Sequence, residues 1–296
     1  MKRTLATLVA ALCTTGLLAA CGDDDGDPSS GGETTAETTS PEEAAGDDGP
    51  GRIVSMSASA TEMLFAIGAG DQVVAADSFS NYPAEAPTTD LSAYEPNIEA
   101  ISAHDPDLVV VDATDPDLVA GLETLGIEVL DAPAAQTLDD AYEQITQLGE
   151  LTGHAAEAEA LVAEMQADIE EILVDVPERA EPLTYFHELD DLLYSVTSQT
   201  FIGELYAMAG LENIADAADV DGQSGGYPQL SAEYVIDADP DIIFLADAEC
   251  CGQTEETVAA RPGFATLSAV EAGNIVLLDE DIASRWGPRV VDFLRT

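Results

Sequence analysis

LDDAYEQITQLGELTGHAAEAEALVAEMQADIEEILV, residues 138–174, decides how this chain is read. Apolar residues recur at helical spacing: Leu138, Tyr142, Ile145 and Leu148, then Leu161, Met165, Ile169, Ile172 and Leu173. Thr137 can cap the start, with acidic residues in the first turn. Gly153 interrupts the pattern, so the spacing predicts a short helix and then a longer one over His154 to Val174. The longer helix would span roughly 30 Å at ~1.5 Å per residue. Pro177 lies just beyond and stops it. Alone, this pattern also fits an ordinary amphipathic surface helix. What flanks it makes it a spine between two halves.

Before the spine, residues 52–130 read as repeated strand–helix units. Ile53 to Met56 and Val73 to Ala76 are short apolar strands, and Leu108 to Val111 is a stronger one. Ser59-Ala-Thr-Glu62 has the spacing of a capping box opening a helix that Gly68 closes. Asn81-Tyr82-Pro83 turns the chain, Asn97 to Ala103 is a short helix, and a further helix runs near Asp117 to Leu125. Gly126 ends that helix, and Ile127 to Leu130 returns as a strand. After the spine the alternation resumes. Leu183 to His187 and Leu192 to Val196 read as strands, Phe201 to Ala209 as a helix, and Ser231 caps a helix through Ile236. Ile242 to Leu245 and Asn274 to Leu278 are the last strands. Apolar strands alternating with helices predict parallel sheets covered on both faces.

The recurrence is literal. Residues 99–111, EAISAHDPDLVVV, lie on residues 233–245, EYVIDADPDIIFL. Glu62-Met-Leu-Phe-Ala-Ile-Gly68 lies on Glu204-Leu-Tyr-Ala-Met-Ala-Gly210. Two matches in the same order predict two lobes of similar fold, with a ligand cleft between them.

The ends and the composition set the location. Lys2 and Arg3 precede the mostly apolar run from Leu5 to Ala20, which reads as an export signal, residues 1–20. Residues 21–51 are almost wholly small, polar or acidic and read as a tether that cannot bury a core. The N-terminal lobe then covers residues 52–136, the spine 137–177 and the C-terminal lobe 178–296. Six arginines and no lysine remain after the signal, against 59 acidic residues. Such charge argues against nucleic acid or anionic lipid as a partner. A hydrophobic fraction of 46% argues against disorder, and a saline habitat is one origin for the acidic surface. Cys13 lies in the signal, so Cys250 and Cys251 are the only cysteines beyond Cys21. Adjacent residues can form a vicinal disulfide or stay as two thiols, and both remain open.

Leu18-Ala19-Ala20-Cys21 resembles the lipobox of bacterial lipoproteins, which implies removal of the signal and lipidation of Cys21. The stretch from Arg52 to Thr296 resembles the class III substrate-binding proteins of ABC importers, which take cobalamin and ferric siderophores. The residues that carry this are Arg52 to Gly68, the Asn81-Tyr82-Pro83 turn, Pro106-Asp-Leu-Val, Arg261-Pro-Gly263 and Ser284 to Arg289. The resemblance implies two Rossmann-like α/β lobes with parallel sheets joined by a single long α-helix. It also implies a monomer, held outside the cytoplasm on the membrane by its lipid, that delivers its ligand to permease subunits. Glu99 and Glu233, equivalent in the two lobes, are the docking residues it assigns.

In open α/β sheets ligands meet the loops at strand C-terminal ends. Those loops hold Phe79, Tyr82, Tyr227, Arg285 and Trp286, and aromatic walls with an arginine fork suit a large flat ligand bearing amides or carboxylates. By position Phe79, Tyr227 and Arg285 match ligand-facing residues of the cobalamin binders. Arg289 adds a second cation, and His187 stands at a strand end where it could reach the cleft. The ligand expected is a ferric siderophore or a corrinoid, with haem or another metal complex as an alternative, because the chain has one tryptophan where cobalamin binders carry more. No protein metal site and no cofactor are expected. An extracytoplasmic enzyme using Glu188, Asp190 and Asp191 is the rival class, but no G-x-S-x-G, H-E-x-x-H or phosphate-loop motif accompanies them.

Overall fold

The computed structural model describes residues 49–112, 115–177 and 179–296. The expected signal, Cys21 and the tether up to residue 48 lie outside the described residues.

The first sheet contains Ile53–Met56 (β1), Val73–Ala76 (β2), Leu108–Val111 (β3) and Glu128–Asp131 (β4), all parallel in the order β2-β1-β3-β4. Its helices are Ala58–Ala66 (α1), Ile98–Ser102 (α2) and Pro116–Thr124 (α3). Then come Leu138–Thr152 (α4) and Ala155–Val174 (α5). The second sheet repeats the first: Thr184–Glu188 (β5), Glu212–Asn213 (β6), Ile242–Leu245 (β7) and Ile275–Leu277 (β8) run parallel in the order β6-β5-β7-β8. Its helices are Phe201–Met208 (α6), Ala232–Ala238 (α7), Ala248–Cys251 (α8), Glu255–Ala259 (α9), Ser268–Ala272 (α10), Glu280–Ser284 (α11) and Val290–Arg295 (α12). The chain is therefore α/β with two parallel-sheet lobes of one topology.

Period-two alternation sorts the strand residues onto two faces. In the first sheet Ile53, Leu108 and Val110 face a cluster that includes Ile145 and Leu148 of α4, while Val54, Met56, Val109 and Val111 face Leu118 and Leu122 of α3. In the second sheet Tyr185 and Phe244 turn toward the spine, and Phe186, Ile243 and Leu245 toward Val258 and Phe264. The cluster holding Met165 and Ile169 of α5 contains residues of both lobes, so one core runs through the molecule along the spine. Each fully buried Leu or Ile in it contributes about 1.5–3 kcal/mol.

Thr137 and Asp140 form a reciprocal capping box at the start of α4, and Gly153 closes the helix in the left-handed region at φ 79°. Only glycine adopts that conformation without a Cβ penalty. α4 then lies close against α5, and a Cβ added at Gly149 would stand 2.4 Å from that of Ala158.

Three local readings change. The first helix is capped by Ser57, not Ser59, because Ser57 takes the extended conformation and accepts from the Ala60 N–H. Glu62 is thereby released from the capping role and buried. Leu192 to Val196 is not a strand. Asp190 accepts from the N–H groups of Leu192 and Tyr194, Leu193 sits at φ 65°, and a single bridge joins Tyr194 to Gln229. The short strand β6 carried too little apolar sequence to be seen.

Candidate functional site

The cleft-side ends of the strands carry acids with unusual regularity. Asp77 follows β2, Asp112 follows β3, Asp131 ends β4, Glu188 ends β5, and Asp247 and Asp279 lie two residues beyond β7 and β8. Between two of these ends in the N-terminal lobe and the segment 281–286 lies a cavity of about 350 Å³. Ser59, Asp77, Phe79, Tyr94, Asp112 and Trp286 are among the residues that line it. Phe79 is 52% exposed and meets Tyr94 edge-on, with ring centroids 5.3 Å apart. The two rings give the cavity an apolar wall that the polar strand ends do not.

Asp77 is buried and its Oδ1 accepts from the Ser80 hydroxyl at 2.6 Å. Asp112 has its carboxyl raised above the usual range, first by burial, with the charges of Asp77 and Asp131 adding and the Ser57 hydroxyl opposing.

Arg285 and Arg289 were expected to face a ligand, and the structure engages both elsewhere. Arg285 Nη1 donates to Glu62 Oε1 at 2.9 Å, and its Nη2 reaches Phe79 O, Asn81 Oδ1 and Asp281 Oδ1. Arg289 donates from Nε and Nη2 to the two oxygens of Glu62, at 3.0 and 2.6 Å. Arg285 still borders the cavity but is only 8% exposed. The Trp286 N–H donates to Ser59 Oγ, its ring Nε1 to Gln144 Oε1 on α4, and Asn81 Nδ2 to Asp281. The loop from Ser284 to Arg289 is thus stitched to the N-terminal lobe and to the spine, rather than standing as a free wall of its own lobe.

The remaining expected residues divide. Phe79, Arg285 and Trp286 come together around the cavity. Tyr82 and Arg289 face a second cavity, about 410 Å³, beside α5, with the Arg289 guanidinium 4.2 Å above the Tyr82 ring. Tyr227 is half-exposed on the loop before Pro228 and lines neither cavity.

His187 was expected at the cleft, and the structure corrects this: the side chain is wholly buried in the C-terminal lobe. Its Nδ1 lies 2.9 Å from Tyr206 Oη, and burial pushes its pKa down to about 3. It points to the spine side of β5 because it shares a strand face with Tyr185. An apolar strand ending in His-Glu gives no sign of which residue turns inward.

Glu188, the best acid of the enzyme reading, is buried in a bidentate pair with Arg261. Asp190 is used in its own turn. Among the described residues, Glu188 and Asp190 are thus both engaged within the protein. Cys250 and Cys251 are joined as a vicinal disulfide on α8. The Cys250 N–H donates to Glu280 Oε1 at the start of α11. Reading the sequence missed Tyr94, which lies in a polar loop, took Ser59 for a helix cap, and gave no role to Asp77 and Asp112.

Residues 53–282 match the sequence profile of the family described as periplasmic binding protein. A cobalamin-binding protein of Halobacterium salinarum is 32% identical over 255 residues, covering 83% of this chain and 68% of that protein. The periplasmic heme-binding protein RhuT from Roseiflexus sp. RS-1 superposes with a TM-score of 0.72 at 27% identity, covering 83% of this chain and 95% of the other. The periplasmic vitamin B12 binding protein BtuF of Vibrio cholerae does so at 0.66 and 26% identity, covering 83% and 94%. The names of these relatives state solute binding. With two parallel-sheet lobes, a helical spine and this match, the chain belongs to the periplasmic binding protein family, among the class III substrate-binding proteins of ABC importers.

Proposed function

We propose that this protein is an extracytoplasmic receptor, anchored through a lipid on Cys21, that binds a cobalamin-type ligand or a ferric siderophore and delivers it to an ABC permease. The observation that carries the ligand half is the aromatic-walled cavity at the strand ends beside Trp286. Strand C-terminal ends are where open α/β sheets meet ligands. The lipobox at Leu18 to Cys21 and the polar stretch after it support the anchor. Relatives whose names state cobalamin, vitamin B12 or heme binding support a flat metal complex as cargo.

Trp286 is the only tryptophan, so its emission reports this cavity alone. Titration with cyanocobalamin, ferric hydroxamate, ferric catecholate and haem should give saturable quenching with at least one of them. Calorimetry on the same samples fixes the stoichiometry. Quenching by none, with no heat of binding, would overturn the ligand reading.

Glu99 and Glu233 stand exposed in the first turns of α2 and α7, which precede the equivalent strands β3 and β7. A helix running back along a parallel sheet begins on the side of the strand C-terminal ends. This supports a position for both carboxylates toward the cleft-side rim of their lobes, one per lobe. Two such charges can fix orientation on a permease that offers cations. The double variant Glu99→Gln/Glu233→Gln should keep ligand affinity and lose most uptake in cells. Normal uptake would remove these residues from docking, and lost affinity would place them elsewhere in the mechanism.

A further inference from the structure

We infer that the cavity selects its ligand by charge: Asp112 accepts hydrogen bonds from the edge of a neutral, amide-bearing metal complex and, with the charge of the buried Asp77 beside it, turns away complexes with anionic edges. This rests on the receptor reading above and narrows it.

Lys2, the one lysine, and Arg3 belong to the expected signal, leaving six arginines. Five are engaged within the protein. Arg52 donates to the carbonyls of His104 and Asp105. Arg261 holds Glu188, Arg285 and Arg289 hold Glu62, and Arg295 holds Asp168 and Asp292. The sixth, Arg179, lies past the end of α5 and lines neither cavity. The cavity beside Trp286 thus has one cation on its wall, Arg285, already shared between Glu62 and Asp281. Among the described residues, a ligand carboxylate entering there meets no cation free to receive it.

The same wall carries Asp77 and Asp112, which pair with no arginine among the described residues. Carboxylates are hydrogen-bond acceptors, so they favour N–H and O–H donors on the ligand. Like charges brought together in a partly desolvated site repel strongly. The surrounding field has the same sign, since the whole chain carries a formal charge of −51. Corrinoids display primary amides around the ring, and many ferric hydroxamates are neutral and carry amides. Haem presents propionates, and ferric catecholates are polyanions. The cavity fits the first pair and opposes the second. Phe79, Tyr94 and Trp286 can hold the apolar face of a flat ligand while Asp112 meets its edge, with Asp77 adding its charge from beneath.

The test measures dissociation constants for cyanocobalamin, a ferric hydroxamate, a ferric catecholate and haem at pH 8 by calorimetry. The proteins are the wild type, Asp112→Asn and Asp77→Asn, with circular dichroism to confirm folding. The wild type should bind a neutral amide-bearing complex at least about ten-fold more tightly than either anionic one. Asp112→Asn should close that gap by about ten-fold, mainly by improving the anionic ligands. The two neutral arms distinguish a corrinoid from a hydroxamate. Wild-type preference for haem or the catecholate would overturn the inference and leave the receptor reading standing. So would a gap unchanged in both variants. Binding of none of the four would overturn both. If one variant fails to fold, the wild-type ranking and the other variant still decide.

Discussion

Glu62→Gln should cost the folded protein about 3–5 kcal/mol, the range for breaking a buried ion pair by removing one partner. The Glu62 side chain is 2% exposed and receives three charge-assisted hydrogen bonds, one from Arg285 and two from Arg289. Glutamine keeps the shape and one carbonyl oxygen but removes the charge. It also turns an amino group toward guanidinium donors, which cannot accept. Two arginines with 7% and 15% exposed side chains would then share a smaller set of acceptors. Gly287 adds to the constraint, since a Cβ there would come within 3.1 Å of Glu62 Oε2. The segment 285–289 must therefore either swing outward or stay with an unpaired charge. Urea denaturation checks the energy, against exposed Glu150→Gln, which should change stability by no more than about 0.5 kcal/mol. Trp286 emission should move to longer wavelength in the variant, because the ring shares this segment and loses its fixed place against Gln144. A loss below about 1 kcal/mol, with emission unchanged, would mean that the network is solvent-screened and does not hold the lobes together.

That network also shows where the sequence stops being readable. The strands were legible because a parallel strand buried on both faces needs a run of apolar residues, as Leu108 to Val111 and Ile242 to Leu245 have. The two-lobe plan was legible because equivalent positions repeat, and the repeat places Glu99 and Glu233 alike. The spine was legible through its period and through Thr137 and Gly153. The partner of an arginine is a different matter. Glu62 and Arg285 are separated by 223 positions, and nothing in either stretch marks them as a pair. Among so many carboxylates, the one that is buried looks like the rest. The arginines drew attention as scarce charges, and scarcity fitted a ligand role as well as a structural one. His187 failed for a related reason. Strand alternation puts neighbours on opposite faces, but which face is the core was not fixed by Thr184 to Glu188 alone. Tyr94 escaped because a loop with no apolar period gives no direction to a side chain.

Asp247→Asn should stabilise the protein at pH 8 by about 2–4 kcal/mol and make little difference at pH 4. Asp247 is wholly buried just beyond β7, and neither carboxylate oxygen finds a hydrogen-bond donor among the described residues. Its neighbour Glu188 has both oxygens taken by Arg261, so the one nearby cation is already committed. Burial first, and then the charge of Glu188, push the Asp247 carboxyl up to about 7 from 3.8. Between these values the folded state holds a proton that the unfolded chain has lost. The contribution is fully present below pH 3.8 and disappears as pH rises through 7. In its protonated form Asp247 can donate to Glu188. Asparagine donates at every pH, so the variant should resemble the protonated wild type throughout. His187 acts with the opposite sign. Its folded pKa is depressed to about 3, so stability falls as pH drops below 6.5, where the unfolded chain gains a proton that the buried ring refuses. The two slopes oppose each other over the overlap between about pH 4 and 6.5 in the wild type, and removing the Asp247 titration should leave that of His187 uncovered. Urea midpoints measured from pH 4 to 8.5 on both proteins therefore carry two signatures. The difference between them should grow with pH, and the variant alone should gain stability steadily up to about pH 6.5 and then level off. A difference that stays constant across the range would show that Asp247 ionises like an exposed carboxylate, with water reaching the end of β7.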